Sequence, residues 1–425
     1  MFSSKALRVL LGGAAVFSAA VLPPTSGVAA EPGPVDVAAQ AGIGITSRTW
    51  SANTGDFDRD GDADWLLVRH NPQLFWFGTG QTPDAVLYEN TEPSVGTHVF
   101  DPVQTLPAPA GSGSDRHDCD FADVNADDRT DLFCAVGLDD DSTNEVWIQD
   151  SAHAFVNSTQ GFGLDASPSA GNYRTTTFIR ANPDPYPDVY VTRYYGPDGA
   201  PLNDPAEDPP EPNELWLNQN GEGFQRAPDS LGLNRPIGAQ KDTPGCTQAA
   251  DYDDDGDPDL LVCGYKQMKL YRNDGATFTD ATTPAIAGFY KDAQLVDLGG
   301  SSRLDLVQLK AKTLVVKLWN GRRFSASYSS SLSAGETLAS GDFEGDGDND
   351  LYVVRTCASG ANQPDLNYLN SGSGTAFSRL QLAAGVAGCG NTVERIDYNG
   401  DGRDDFIVLN GKQKKEGPVQ LYTWR

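Results

Sequence analysis

For 425 residues the chain is poor in methionine (2), histidine (4) and cysteine (6), and its 31 Lys and Arg are outnumbered by 59 Asp and Glu. So few histidines leave little choice of general base or zinc ligand. A formal charge of −28 argues against nucleic acid and anionic membrane surfaces as partners. Long apolar runs are missing beyond residue 22, so no later segment reads as a membrane-spanning helix. Amphipathic helical windows are scarce, whereas Gly (45) and Pro (27) are plentiful, and the chain reads as all-β.

The first thirty residues are of another kind. Lys5 and Arg8 precede an apolar, small-residue run from Val9 to Leu22, and Val28, Ala29 and Ala30 stand before Glu31, the layout of a cleaved secretory signal. The expected organisation is a signal over 1–30 and one domain over 31–425, secreted and monomeric. Without the signal, 29 basic residues face 59 acidic ones, a net charge of −30.

Self-similarity organises the rest. A short acidic loop followed by an apolar strand recurs along the chain. Five copies are complete: Asp56, Asp58, Asp60 and Asp64 around Gly61; Asp123, Asn125, Asp127 and Asp131 around Asp128; Asp251, Asp253, Asp255 and Asp259 around Gly256; Asp342, Glu344, Asp346 and Asp350 around Gly347; Asp397, Asn399, Asp401 and Asp405 around Gly402. Two more keep the frame without the acids, from Arg180 to Asp188 and from Asp297 to Asp305. Each loop is followed by an aromatic strand, an Asn/Gly turn and a Phe that opens another strand, as from Leu215 through Asn218 to Phe224 and from Leu270 through Asn273 to Phe278. Four short strands per unit and seven units predict a seven-bladed β-propeller of four-stranded antiparallel blades. The last unit ends at Trp424 without an outer strand, and Val35–Ile43 matches the outer-strand pattern of Phe155–Leu164, so an N-terminal strand is expected to close the last blade.

The five loops resemble the calcium hairpins of the FG-GAP/VCBS repeat family, found in integrin α chains, in bacterial VCBS repeat proteins and in cartilage acidic protein. The resemblance covers nearly all of residues 34–425, and the family is functionally broad. Calcium takes six to eight oxygens, and acids at alternate positions of a Gly-allowed turn point inward at one centre. Positions 1, 3, 5 and 9 would give side chains and position 7 a backbone carbonyl, making about five structural Ca²⁺ sites, weakest at Asp128, where Gly is missing. A solvated acidic turn would explain one copy, but five in one register point to metal.

Six cysteines in a secreted chain invite pairing. Cys119 with Cys134 and Cys246 with Cys263 flank a loop on opposite strands, which leaves Cys357 with Cys389.

On the face opposite the loops, the blade pattern collects basic and aromatic residues: Arg48, Arg69, His70, Arg116, Arg174, Arg193, Lys241, Lys266, Lys291 and Arg355, with Trp50 and Tyr173 among them. Such a mouth suits an anionic glycan or an acidic polypeptide, gripped by guanidinium groups and stacked on rings. The expectation is an extracellular binding or adhesion module. The alternative is a polysaccharide lyase, with His117, Tyr194 or Tyr195 as candidate proton acceptors. A purely architectural protein is a third reading.

Overall fold

The computed structural model describes residues 33–70, 83–109, 115–137, 142–164, 173–193, 212–235, 244–264, 267–275, 277–288, 290–356, 363–382, 390–411 and 416–424. They form seven antiparallel sheets. Strands β1 (Pro34–Asp36) and β2 (Thr46–Ser47) precede blade 1, which is β3 (Thr49–Gly55), β4 (Asp64–Arg69), β5 (Ala85–Ser94) and β6 (Thr97–Leu106). Blade 2 is β7 (Asp115–Ala122), β8 (Asp131–Gly137), β9 (Glu145–Gln149) and β10 (Phe155–Asn157). Blade 3 is β11 (Tyr173–Ile179), β12 (Asp188–Arg193), β13 (Glu214–Asn218) and β14 (Phe224–Arg226). Blade 4 is β15 (Pro244–Ala250), β16 (Asp259–Gly264), β17 (Met268–Asn273) and β18 (Phe278–Asp280). Blade 5 is β19 (Asp292–Val296), β20 (Asp305–Lys310), β21 (Thr313–Trp319) and β22 (Phe324–Ser331). Blade 6 is β23 (Gly335–Gly341), β24 (Asp350–Arg355), β25 (Leu366–Asn370) and β26 (Phe377–Gln381). Blade 7 is β27 (Gly390–Ile396), β28 (Asp405–Asn410) and β29 (Gly417–Trp424).

The first strands of successive blades pack side by side, and β27 against β3 closes the ring. β1 completes blade 7 by pairing Pro34 with Trp424 and Asp36 with Tyr422. The strand is shorter than expected, because the chain turns after Asp36, and β2 adds a second pairing at the start of β29. Both faces of each blade meet a neighbour, so second strands such as Trp65–Val68 and Leu260–Cys263 are apolar without alternation and fully buried. The core is therefore seven layers between blades. One of them joins Phe57, Leu66 and Val68 of blade 1 to Leu132, Trp147 and Phe155 of blade 2.

Polar latches reinforce these layers. One side chain of the third strand, its last residue except in the longer β5, reaches back to the preceding blade's loop: Asn90 Nδ2 donates to Tyr398 O (2.9 Å), Gln149 Nε2 to Phe57 O (2.9 Å), Asn218 Nδ2 to Val124 O (2.8 Å) and Asn370 Nδ2 to Leu298 O (2.9 Å). In blade 5 that position is Trp319, whose ring packs edge-on against Tyr252 of blade 4 instead. Cys119–Cys134 and Cys246–Cys263 are disulfide-bonded at directly paired positions of the first and second strands. Cys357 and Cys389 lie outside the described residues, as do Tyr194, Tyr195, Lys241 and Lys266.

Candidate functional site: acidic loops and an axial mouth

The acidic loops join first to second strands on one face of the ring. Their final aspartate does the same job in five of the units, including the two without the other acids, while Asp350 takes only Asn370 N (2.7 Å) of the third strand and Asp405 only Tyr398 N (3.1 Å) of the loop. This aspartate is buried, and in those five it accepts the amide of the loop's second residue and an amide of the third strand: for Asp64, Phe57 N (2.9 Å) and Asn90 N (2.8 Å); for Asp188, Ala181 N (2.9 Å) and Asn218 N (2.8 Å). Position 9 is thus first a structural staple, and its oxygens keep a second lone pair for a cation. Position 1 folds the turn: Asp251 accepts Asp255 N (3.2 Å) and Gly256 N (2.9 Å), and Asp342 accepts Asp346 N (3.0 Å) and Gly347 N (2.9 Å). At the sharp turn Gly61, Gly256, Gly347 and Gly402 have φ of 80° to 101°, and Asp128 occupies the same left-handed region at 65°.

A donor set built for a hard cation leaves buried oxygens without hydrogen-bond donors. Asp56 Oδ1, Asp253 Oδ1, Asp348 Oδ1, Asp350 Oδ2 and Asp397 Oδ1 are such atoms. Oxygens of Asp56, Asp58 and Asp64 lie within 4.8 Å of one another, as do those of Asp251, Asp253 and Asp255. The residues present therefore fit a calcium-type ion. In the fifth unit Asp297 still folds the turn through Ser301 N (3.2 Å) and Ser302 N (2.7 Å), but Gly299 and Ser301 supply no carboxylate; in the third, Arg180 replaces the first acid.

The opposite face carries a mouth made by β-bulges. Six of the seven first strands slip register near their start, between Thr49 and Ser51, Arg116 and Asp118, Tyr173 and Thr176, Pro244 and Cys246, Gly335 and Thr337, and Gly390 and Thr392. A bulge re-aims the residue it leaves unpaired. Here Trp50, His117, Arg174, Gly245, Glu336 and Asn391 all line an axial cavity of about 710 Å³, with Lys291 completing the ring. His117 stacks on Trp50 (centroids 4.8 Å apart), and the Arg174 guanidinium lies 4.8 Å from the centre of the Trp50 ring. His70 supports Trp50 at 4.4 Å and is itself held by Asp115 (2.6 Å). Lys291 pairs with Glu336 (3.2 Å), and Asn391 Nδ2 donates to Trp50 O (3.0 Å). Arg48 and Arg69, also expected at this mouth, are half-buried, have Nε atoms without hydrogen-bond partners, and are not among the residues that line the cavity.

Three expected mouth residues are corrected by burial. Arg116 is 2% exposed and bonds Glu145 (2.7 Å) and the carbonyls of Leu106 and Pro107; Arg193 faces Glu214 (3.6 Å); Arg355 donates to Pro364 O (2.6 Å). Their charges serve blade structure. His117 Nδ1 meets Tyr173 O at 2.5 Å, and burial, with the Arg174 charge, pulls the ring down to about 3. It is neutral at physiological pH and a weak proton acceptor, which counts against a lyase base. Deeper in the channel, burial raises the carboxyls of Asp118 and Asp292 to about 6 and pushes Asp120 and Glu394 well up. Sequence reasoning missed these acids, which became one group only when the ring closed.

A family model described as an FG-GAP-like repeat matches residues 251–308, from the acidic loop of blade 4 into β20 of blade 5. The match and the seven-bladed ring fit an FG-GAP repeat propeller. No curated protein matches the chain. Among solved structures, an Agrocybe aegerita lectin described for specific recognition of non-reducing terminal N-acetylglucosamine is 15% identical, with 80% of this chain and 82% of that one covered at a TM-score of 0.50. The S. cerevisiae core factor is 9% identical, with 93% of this chain and 60% of that one covered at 0.53. At these identities the likeness is one of fold.

Proposed function

We propose that the protein is a secreted calcium-binding propeller that acts as an extracellular binding module, taking an anionic glycan or an acidic protein segment at the axial mouth. The observation that carries the reading is the Arg174–Trp50–His117 stack, which presents a planar cation and ring faces at a concave opening that Lys291 also lines. Calcium in the five acidic loops would be held by carboxylates and would stiffen the opposite face, keeping the ring in shape. Two disulfides support an oxidising compartment, and among the described residues no helix is long and apolar enough to cross a membrane.

The test is a glycan array and a panel of uronic-acid polymers, probed with the calcium-loaded protein and read in parallel for ultraviolet absorbance of unsaturated products. Retention of acidic glycans without absorbance is expected, weakened at least tenfold by Arg174→Ala and by raised salt. Rising absorbance would establish a lyase instead, and failure to retain any glycan would turn the search to acidic protein partners.

A further inference from the structure

The seam between blades 7 and 1, beside the acidic loop of blade 7, holds a cavity of its own of about 410 Å³. The hairpin of blade 1 makes it. β5 and β6 have ten residues each, more than any other third or fourth strand, and the excess carries the turn at Gly96, Thr97 and His98 across to blade 7. There the Tyr398 hydroxyl donates to His98 O, Asn90 Nδ2 to Tyr398 O (2.9 Å) and Phe100 N to Ala41 O (2.9 Å), so the hairpin, the loop and the turn after β1 are bonded into one frame. That turn is closed in its own right by Gln40 N and Ala41 N on Val37 O (both 2.9 Å). Rings and polar groups share the lining: Trp424, Tyr398 and His98 supply the rings, and Gln40, Thr97 and Thr423 an amide and two hydroxyls. Asp401 and Arg403 line it too, but they are paired with each other at 2.9 Å, so their charges cancel within the wall. The His98 side chain is 9% exposed, and its Nδ1 has no hydrogen-bond partner, with Asp62 Oδ2 standing 3.9 Å off.

We propose that this seam is a second ligand site, for a neutral sugar residue, separate from the axial mouth. Its volume falls within the range of about 300–1,000 Å³ usual for small-molecule sites, which join apolar walls to a few placed polar groups. A sugar ring carries hydroxyls around its rim and an apolar C–H face, so it can bond the Gln40 amide and the Thr97 hydroxyl while covering the rings of Trp424 and Tyr398. A hydroxyl both donates and accepts, and so serves His98 Nδ1 in either tautomer. An anion would gain little from a guanidinium that a carboxylate already holds. The two sites thus select differently, the mouth by charge and the seam by shape and hydroxyls.

Saturation-transfer NMR on the intact, calcium-loaded protein tests this, with the methyl glycosides of galactose, mannose and N-acetylglucosamine as probes. At least one should bind saturably. Gln40→Ala and Thr97→Val, both at exposed positions, should each weaken that binding about tenfold, the worth of one lost hydrogen bond. Arg174→Ala strikes the mouth and should leave the binding unchanged, so failure of the mouth and failure of the seam are read separately. Transfer to none of the three probes would overturn the proposal, as would binding that survives both seam variants or disappears with Arg174→Ala. Should those two variants be unstable, Gln40→Trp, which enlarges an exposed side chain of the rim, is expected to block the site, and undiminished binding by it would overturn the proposal equally.

Discussion

The acidic loops of blades 1, 4 and 6 differ from those of blades 2 and 7 at two positions. The seventh residue is Asp62, Asp257 or Asp348 in the first group and Arg129 or Arg403 in the second. Both arginines turn inward. Arg129 Nη2 pairs with Asp127 and its Nε donates to Gln149 O (2.9 Å), while Arg403 Nη2 pairs with Asp401 (2.9 Å). The third residue changes in step: Asn125 and Asn399 replace an acid and donate Nδ2 to those same aspartates at 3.0 and 3.2 Å. One backbone is thus held in two ways, by acids that await a cation or by acids already answered by a guanidinium. The donor-less oxygens follow that order. The first group has four, blade 7 has only Asp397 Oδ1, and the loop of blade 2 has none. Calcium dependence should therefore be concentrated in blades 1, 4 and 6.

The largest expected effect is on the chelated protein. Burial raises the carboxyls of Asp64, Asp188, Asp259 and Asp350 to about 7 and that of Asp405 to about 8. An unfolded aspartate titrates near about 3.9, so between these limits the folded state holds more protons, and stability is gained on acidification and lost as pH rises through about 7 to 8. The thermal midpoint in chelator should accordingly rise from pH of about 8 to about 5, and calcium, which needs the carboxylates ionised, should abolish or invert the trend. A chelated protein whose midpoint falls on acidification would refute this account of the loops.

A paired substitution bears on the comparison itself. Asp251→Ala and Asp123→Ala each remove a first-position acid that accepts two loop amides, Asp255 N and Gly256 N or Asp127 N and Asp128 N, so the hydrogen-bond loss is matched. In calcium at about 100 times its Kd, Asp251→Ala should cost about 3 kcal/mol more than it does in chelator, since bound ion stabilises by that amount. Asp123→Ala should show a difference of about 1 kcal/mol or less, because the guanidinium competes with the ion. Denaturant titrations with and without calcium measure both, and equal calcium-dependent costs would erase the distinction between the two groups of loop.

Much of this was legible beforehand. The seven units, the blade count, the N-terminal closure and the two hairpin disulfides follow from spacing, because a loop and the strands it joins are local. The arginine of the seventh position was also in plain view, but reading that position only as a backbone carbonyl hid its side chain. The mouth was legible in composition and not in aim. Arg116 and His117 are adjacent, and strict alternation cannot say which one faces the axis, because the bulge between Arg116 and Asp118 resets it. The result sends Arg116 to Glu145 and His117 to Trp50. Asp120 and Glu394 lie 274 positions apart, and no local pattern links them before β27 meets β3.

The smallest effect, and the sharpest, comes from exchanging one of the two residues that separate the groups. Arg403→Asp gives blade 7 the seventh residue of blade 1 and should tighten calcium at that loop by about tenfold, since it removes a competing cation and adds an anion. It also forfeits packing, because the Arg403 side chain lies over Gly345 of blade 6 so closely that a Cβ there would come within 2.6 Å of Cδ. In chelator the variant should therefore be less stable than the wild type, by about 1 kcal/mol, and in saturating calcium equal to it or better. Site-resolved calcium titration reads the first change and denaturant unfolding the second. Weaker calcium binding in the variant would mean that Arg403 orients Asp401 toward the ion rather than standing in for it, and the division between the loops would then rest on Asn399 alone.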